Sequence, residues 1–292
     1  MKLLIQNYSN SCSSQPMYFN ECLSRVGIDT SIWNLNDGVS VYDKLDSVKP
    51  DVIMSSFQSI PPDMIQYLKS SPSIKLIVDI TDIDQSMLDN LLMILEAENI
   101  SCPFLISQEY EFLRKAKTDK KEIVSILPCY DVFTPQNPVP EFNVSAAVIS
   151  NRNSKKFEET CSLHEVYHKI VLADNPDLNF DLQANVINMN SLYNKYDEIV
   201  VVGDVNFACS QIFFDGFVKS KKITVKVPEE QQELFNKVLS TLFYEEDEEP
   251  SLEKIEFQIK KNHSCFNRVS LLAKKLGEES ASSKLLEMAK QL

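Results

Sequence analysis

Short runs of apolar residues alternate along the first half of the chain with segments whose apolar residues recur every three or four positions. Continuous runs are typical of strands buried on both faces of a parallel sheet, whereas the spaced pattern indicates amphipathic helices. We predict strands at residues 2–6, 30–35, 52–55, 74–79, 104–107 and 123–127. Helices are predicted at residues 16–26, 87–98 and 109–117. Strands separated by helices predict a parallel sheet with helices on both faces.

A proline-rich segment separates this half from a second half with the same alternation. Residues 134–140 contain three prolines and no periodicity, which is typical of a linker. Beyond it we predict strands at residues 144–150, 198–203 and 222–227. Helices are predicted at residues 155–172, 210–218, 229–243, 252–261 and 266–292. The pattern predicts an α/β protein of two Rossmann-like domains, residues 1–136 and 137–292, with a cleft between them and C-terminal helices on the second.

Composition and charge exclude some classes of function and of phosphate-binding site. The chain has 292 residues, a formal net charge of −13 and only five glycines. So acidic a protein is not expected to bind nucleic acid over its whole surface. Neither GxGxxG nor a P-loop sequence is present. We therefore expect any bound phosphate to be held by basic side chains and helix N-termini rather than by a glycine-rich loop.

Nothing in the sequence predicts a membrane span or a disulfide framework. No apolar run approaches the roughly 20 residues that cross a bilayer, and residues 1–7 are too short and too polar for a signal peptide. The seven cysteines are scattered and form no CxxC pair. We therefore expect a cytoplasmic protein with reduced thiols.

Four stretches, in order, resemble motifs of two-domain GT-B glycosyltransferases, including spore-maturation-type members. Residues 126–135 (ILPCYDVFTP) resemble the segment that joins the two domains, and residues 196–201 (YDEIVV) resemble a strand of the second domain. Residues 211–223 (QIFFDGFVKSKKI) are similar to the helix and turn that carry a ribose-binding glutamate. Residues 261–269 are similar to a C-terminal HTyxxRv motif. The resemblance implies a GT-B fold and transfer of a sugar from a nucleotide-sugar donor, UDP-linked in the first instance, to a hydroxyl acceptor.

Within that resemblance, Asp215 stands where the family has its ribose-binding glutamate, and Gln211 begins the same helix. Many retaining members have another glutamate upstream, which is Phe207 here, so the resemblance does not imply a stereochemical outcome. The departing diphosphate could be stabilised by a divalent metal, by helix N-termini or by basic side chains, and these alternatives stay open.

The loop after the first strand of the second domain supplies the remaining donor-binding candidates. It contains Asn151, Arg152 and Lys155 directly before a predicted helix. Arginine provides the bidentate oxygen recognition that a glycine-poor loop lacks. An ordinary polar loop with solvated charges would have the same sequence.

In the first domain, the loop that contains Ser9, Asn10 and Ser13 is predicted to contact the acceptor or a donor phosphate. A general base for the acceptor hydroxyl should be a carboxylate or a histidine near the cleft, and Asp131 beside the linker is one candidate. Asp79 and Asp82 follow the fourth strand at the expected edge of the sheet. Aspartates at strand ends also form turns and helix caps, which is the alternative role for this pair.

Two further functions compete with sugar transfer. Residues 164–168 read His-Glu-Val-Tyr-His, an HExxH sequence that on a helix would predict a zinc-dependent hydrolase with His164 and His168 as ligands and Glu165 as base. The third alternative is a GT-B-shaped binding protein without catalytic activity.

Two lysine clusters, at residues 115–121 and 219–222, would suit a polyanionic acceptor such as hydroxymethylated phage DNA if they face the cleft. A glycan is the other acceptor class that we consider.

Overall fold

The computed structural model describes residues 1–6, 15–133, 145–149, 168–171, 192–220, 222–243 and 252–292, with residues 159, 162, 182–183 and 189 in addition. The chain forms two compact units. The first consists of Met1–Ser9, Gln15–Leu127 and Arg268–Glu287, and the second of Asn10–Ser14, Pro128–Asn267 and Met288–Leu292. Each unit contains one parallel sheet. The predicted domain boundaries stay a prediction.

The sheet of the first unit has six parallel strands in the order β2-β1-β3-β4-β5-β6. The strands are β1 (Lys2–Gln6), β2 (Asp29–Trp33), β3 (Val52–Ser56), β4 (Lys75–Asp79), β5 (Leu105–Ser107) and β6 (Ile123–Ser125). Consecutive residues Leu3, Leu4 and Ile5 of β1 are all fully buried. Because neighbouring side chains of a strand point to opposite faces, both faces of β1 must be covered, as in a doubly wound sheet.

Four helices connect these strands. They are α1 (Gln15–Arg25), α2 (Val41–Val48), α3 (Pro62–Ser70) and α4 (Gln85–Ala97). The side chains of Ser40 and Asp84 accept hydrogen bonds from backbone N–H groups at the starts of α2 and α4. These caps supply acceptors that the first turn of a helix otherwise lacks. Leucines of α4 pack into a core that also contains Trp33 of β2 and Leu76 of β4.

The sheet of the second unit has five parallel strands in the order β11-β10-β7-β8-β9. They are β7 (Ser145–Ile149), β8 (His168–Val171), β9 (Leu182–Gln183), β10 (Glu198–Val202) and β11 (Ile223–Lys226). Four consecutive residues of β10, from Ile199 to Val202, are fully buried. This central strand is therefore covered on both faces like β1.

Helices follow the strands of this unit, and the last two helices of the chain belong mostly to the first unit. They are α5 (Val205–Ala208), α6 (Gln211–Lys219), α7 (Gln232–Phe243), α8 (Leu252–Asn262), α9 (Cys265–Lys275) and α10 (Glu279–Ala289). The prediction of one helix over 266–292 was wrong in this respect. Gly277 ends α9 with a φ of +83°, a left-handed conformation that glycine adopts without a steric penalty.

The predicted helix over residues 109–117 was also wrong. This stretch forms turns, in which the N–H groups of Leu113 and Arg114 both donate to the carbonyl of Tyr110. Further along, the Gln85 side chain accepts from the N–H of Lys117 at 3.0 Å and donates to the Lys117 carbonyl at 3.1 Å. These side-chain bonds supply partners that a continued helix would have provided from its own backbone.

The predicted helix over residues 155–172 does not reach its predicted end. His168 begins β8 and pairs with Ala146 of β7 in parallel register. The sequence HKIV resembles one turn of an amphipathic helix, but pairing with the buried strand β7 determines its conformation. Sequence reasoning consequently missed β8 and β9, and it also missed α2 and α3.

The five cysteines in the described part of the chain are buried and form no disulfide. They are Cys22, Cys102, Cys129, Cys209 and Cys265. The Cys102 thiol donates to the Phe104 carbonyl at 3.4 Å, and burial raises its pKa to about 11. These thiols fill small sites in the core, as the scattered spacing predicts.

Candidate functional site

Each sheet has one topological switch point, where the strands on either side are connected in opposite directions along the sheet. In the first sheet this point lies between β1 and β3, and in the second it lies between β7 and β10. Ligands of open α/β sheets bind outside the carboxyl ends of the strands at such a switch point. Directly after β1 and β7 come the loops predicted to contact phosphate, which contain Ser9, Asn10 and Ser13, and Asn151, Arg152 and Lys155. These six residues lie outside the described part of the chain, and their contacts stay predictions.

Polar side chains connect the carboxyl ends of β1 and β3 in the first unit. Gln6 and Ser55 are both fully buried. The Ser55 hydroxyl donates to Oε1 of Gln6, and Nε2 of Gln6 donates to the Ser59 carbonyl at 2.7 Å. Both groups of the Gln6 amide are thereby satisfied, so this part of the switch point is held in one arrangement.

Asp79, the first predicted catalytic residue, ends β4 and is 3 % exposed. Its Oδ1 accepts from the N–H of Thr81 at 2.9 Å and from the Thr81 hydroxyl at 2.5 Å. Its Oδ2 accepts from Nε2 of Gln108 at 3.1 Å. These bonds join the loop after β4 to the loop after β5, which is the turn-forming role. A catalytic role for Asp79 stays a prediction.

The second predicted catalytic residue, Asp82, is exposed and adopts a φ of +63°. Its N–H donates to Oε2 of Glu109 at 3.4 Å, and the Ser107 hydroxyl donates to the same oxygen at 3.4 Å. Sequence reasoning did not select Glu109, because it placed this residue in a helix. Burial, and then the negative charge of Asp82, raise the pKa of Glu109, against the opposing effect of the Arg114 charge. In the part of the chain that the structure describes, Oε1 of Glu109 accepts no hydrogen bond.

Glu109 is therefore a buried carboxyl group at the carboxyl edge of a parallel sheet, with one oxygen held and the other open. A carboxylate with a raised pKa is a better proton acceptor than an ordinary one and is typical of catalytic sites. Its pairing with the exposed Asp82 gives two carboxyl groups with different environments. Such pairs commonly divide acid and base roles.

Asp215, the predicted ribose-binding residue, is fully buried on α6. Its Oδ1 accepts from the N–H of Asp131 at 2.7 Å, and its Oδ2 accepts from Nε2 of Gln211 at 2.9 Å. Nζ of Lys219 lies 3.4 Å from Asp215 Oδ1 and 3.7 Å from Asp131 Oδ2. Burial raises the pKa of Asp215, against the opposing effect of Lys219.

We refer to Asp131, Gln211, Asp215 and Lys219 as the buried charge network. It holds the segment that follows β6 against α6, since Asp131 Oδ1 also accepts from the N–H of Phe133 at 2.8 Å. The donor contacts predicted for Gln211 and Asp215 stay predictions. In this structure both side chains are bonded to each other inside the network, and Lys219 is 5 % exposed rather than part of a basic surface.

The second histidine of the HExxH sequence does not lie on a helix. His168 lies on β8, and its Nδ1 is 2.9 Å from the Tyr196 hydroxyl. The zinc hypothesis requires both histidines on one helix, where residues four apart lie one turn apart on the same face, and His168 is on a strand instead. His164 and Glu165 lie outside the described residues. Among the residues with described positions, no group of three or more His, Cys, Asp or Glu could hold a metal ion.

No helix in the described part of the chain is long and apolar enough to cross a membrane.

Comparison with known proteins gives a match at the level of structure alone. No model of a protein family matches the sequence, and neither does any curated protein. Among solved structures, an alpha-glucosyltransferase in complex with UDP matches with a TM-score of 0.54 at 12% identity, over 100% of this chain and 96% of that chain.

Two other structures match less well. The calicheamicin glycosyltransferase CalG4 has a TM-score of 0.41 at 8% identity over 96% of this chain and 99% of that chain. S. aureus MnaA in a co-structure with UDP has a TM-score of 0.43 at 9% identity over 95% and 98%. The match to the alpha-glucosyltransferase, which includes both sheets, confirms the predicted α/β fold of the GT-B type.

Proposed function

We propose that this protein transfers a sugar from a UDP-sugar to a hydroxyl group. The observation that carries the proposal is the structural match over the whole chain to an alpha-glucosyltransferase in complex with UDP. Supporting it, the predicted diphosphate loop with Arg152 and Lys155 directly follows β7, the strand at the switch point of the second sheet. That is where α/β sheets bind nucleotides.

In the proposed reaction the acceptor hydroxyl loses its proton to a carboxylate of the first unit as it attacks the anomeric carbon. The bond from that carbon to the diphosphate breaks, and UDP leaves with the electron pair. Glu109 suits the base better than Asp79, because Oε1 of Glu109 accepts no hydrogen bond from the described residues, whereas both carboxylate oxygens of Asp79 accept one or more. Asp82 supports Glu109 through its N–H and its negative charge.

The binding experiment is a calorimetric titration of the full chain with UDP and with GDP. We expect UDP to bind, and Arg152→Ala to weaken UDP binding by about tenfold or more through loss of a charge-assisted hydrogen bond. The control is Arg25→Ala, since Arg25 forms an exposed pair with Glu21 in the first unit. No binding by either nucleotide would contradict the proposal, and equal binding by Arg152→Ala would contradict the loop assignment.

The acceptor is tested by turnover. UDP release is measured with UDP-glucose and either duplex DNA containing hydroxymethylcytosine or a panel of glycans. The exposed side chains of Lys115, Lys117 and Lys120 support a polyanionic acceptor, whereas the net charge of −13 favours a glycan. Tight UDP binding without turnover on any acceptor would favour the inactive binding protein over the transferase.

A further inference from the structure

One arginine of the first unit is buried beside a cavity with an unsatisfied Nε–H. Arg114 is only 8 % exposed and lies in the turn that follows β5. The cavity has a volume of about 650 Å³. Its charged lining consists of Arg114, Lys117, Lys121, Glu111, Asp119 and Glu122, and its floor includes Ile123 and Ser125 of the edge strand β6.

One donor of the Arg114 guanidinium group, the Nε–H, is unsatisfied. Its Nε is buried and has no hydrogen-bond partner among the described residues, while the positive charge of the group acts on the Glu109 carboxyl and lowers the pKa of that residue. Leaving a charged donor buried without an acceptor is unfavourable unless a ligand supplies the acceptor. An anion in the adjacent cavity would supply that acceptor.

The cavity is held in shape before any ligand arrives. The Gln85 side chain bonds to both backbone groups of Lys117, and Nζ of Lys121 donates to the Cys102 carbonyl at 2.5 Å. Glu122 is bonded to Lys275 of α9, so that its negative charge is already compensated. The lining thus presents three cations against two uncompensated carboxylates, Glu111 and Asp119.

We propose that this cavity binds the phosphate group of a small phosphate ester, with Arg114 as the central ligand and Lys117 and Lys121 as supporting charges. The planar donor fork of arginine matches two oxygens of one phosphate group. The cavity volume exceeds that of a phosphate ion, which leaves space for the esterified part. The proposal does not depend on sugar transfer, because none of its residues belongs to the predicted donor site.

The first test is a calorimetric titration with inorganic phosphate and with glucose 6-phosphate, in the presence of saturating UDP so that any nucleotide site is occupied. We expect Arg114→Gln to weaken phosphate binding by at least about tenfold, and Arg114→Lys to weaken it less, because lysine keeps the charge but loses the fork. The matched control is Lys115→Gln, an exposed residue of the same turn that does not line the cavity. Glucose 6-phosphate should bind more tightly than inorganic phosphate.

The second test uses the ligand-free protein and reads stability. If Arg114 is unsatisfied without ligand, Arg114→Gln should raise the melting temperature in phosphate-free buffer, and added glucose 6-phosphate should stabilise the wild type but not the variant. Equal phosphate binding by wild type and Arg114→Gln would overturn the proposal. A large loss of stability in Arg114→Gln would also overturn it, since the arginine would then have a structural partner. If the wild-type protein did not bind UDP, the proposed sugar transfer would be contradicted, but the phosphate-binding result for Arg114 would still stand.

Discussion

The buried charge network of the second unit and the carboxyl edge of the first unit both contain a buried acidic residue with a raised pKa. In the network, both oxygens of Asp215 are engaged, by Asp131, Gln211 and Lys219. At the carboxyl edge, Glu109 has one oxygen held by Asp82 and Ser107 and the other open. Burial is the main cause of the raised pKa in both cases.

Because both Asp215 and Glu109 have a raised pKa, a raised pKa alone does not identify a catalytic carboxylate. A fully satisfied group such as Asp215 contributes to the specificity of packing, whereas a partly satisfied group can take up a proton from a substrate. The number of engaged oxygens separates the two regions, and the variants below test that distinction.

The largest effect is expected from Lys219→Met. This change leaves Asp131 and Asp215 buried without a counter-charge, which should cost about 3–5 kcal/mol of unfolding free energy. Urea denaturation followed by circular dichroism measures it. Lys222→Met is the matched control from the same lysine run, because Lys222 is 61% exposed at its side chain and should lose less than about 1 kcal/mol. Equal losses would mean that the network is not balanced by Lys219.

Next in size is Glu109→Gln. Because glutamine cannot accept the proton, we expect turnover to fall by about a hundredfold or more while UDP binding is retained. Glu96→Gln, at an exposed position on α4, should leave turnover near the wild-type value. Unchanged turnover in Glu109→Gln would remove Glu109 from the reaction and return the role to Asp82 or Asp79.

A smaller effect is expected from Asp79→Asn. The bonds from Thr81 and Gln108 to the carboxylate would weaken, so that unfolding free energy should fall by about 1–2 kcal/mol. Turnover should stay close to that of the wild type. Asp82→Asn, at an exposed position that asparagine also tolerates at positive φ, should change stability less. A hundredfold fall in turnover for Asp79→Asn would contradict the turn-forming role.

The smallest expected effect is on the pH dependence of stability. The folded state raises the pKa of Glu109, so it binds a proton more readily than the unfolded state does. The unfolding free energy should therefore decrease as pH rises from the ordinary glutamate pKa through the raised value. In Glu109→Gln this decrease should be smaller, while the matching contribution of Asp215 remains. Parallel curves for the two proteins, measured by urea denaturation at each pH, would contradict the raised pKa.

The sequence predicts the fold well where burial is complete. Strands β1, β3, β4 and β10 read as continuous apolar runs because both of their faces are covered. The prediction failed where neighbours decide the conformation. The stretch 168–171 has helical spacing but pairs with β7, and the stretch 109–117 is held in turns by side chains far away in the chain, such as Gln85.

The site was less predictable than the fold. The run KSKK at residues 219–222 resembles a solvated basic turn, yet its first lysine lies inside α6, four residues after Asp215, and faces Asp131. The spacing between Asp215 and Lys219 was a usable signal for an internal pair, but the partner Asp131 is 84 residues from Asp215. Glu109 and Arg114 were not selected because residues 109–117 were predicted to form a helix. Their burial depends on tertiary packing, which the local sequence pattern does not indicate.

The alkylation rate of Cys102 reports on the opening of the segment that carries Lys121. Its thiol is buried with a pKa of about 11, so alkylation at neutral pH requires a transient opening that exposes the sulfur. Lys121 is bonded to the carbonyl of this same residue, so an opening that exposes the thiol should also disturb the wall of the Arg114 cavity. The labelling rate of Cys102 by iodoacetamide therefore measures how often that wall opens, and a bound phosphate ester should slow it.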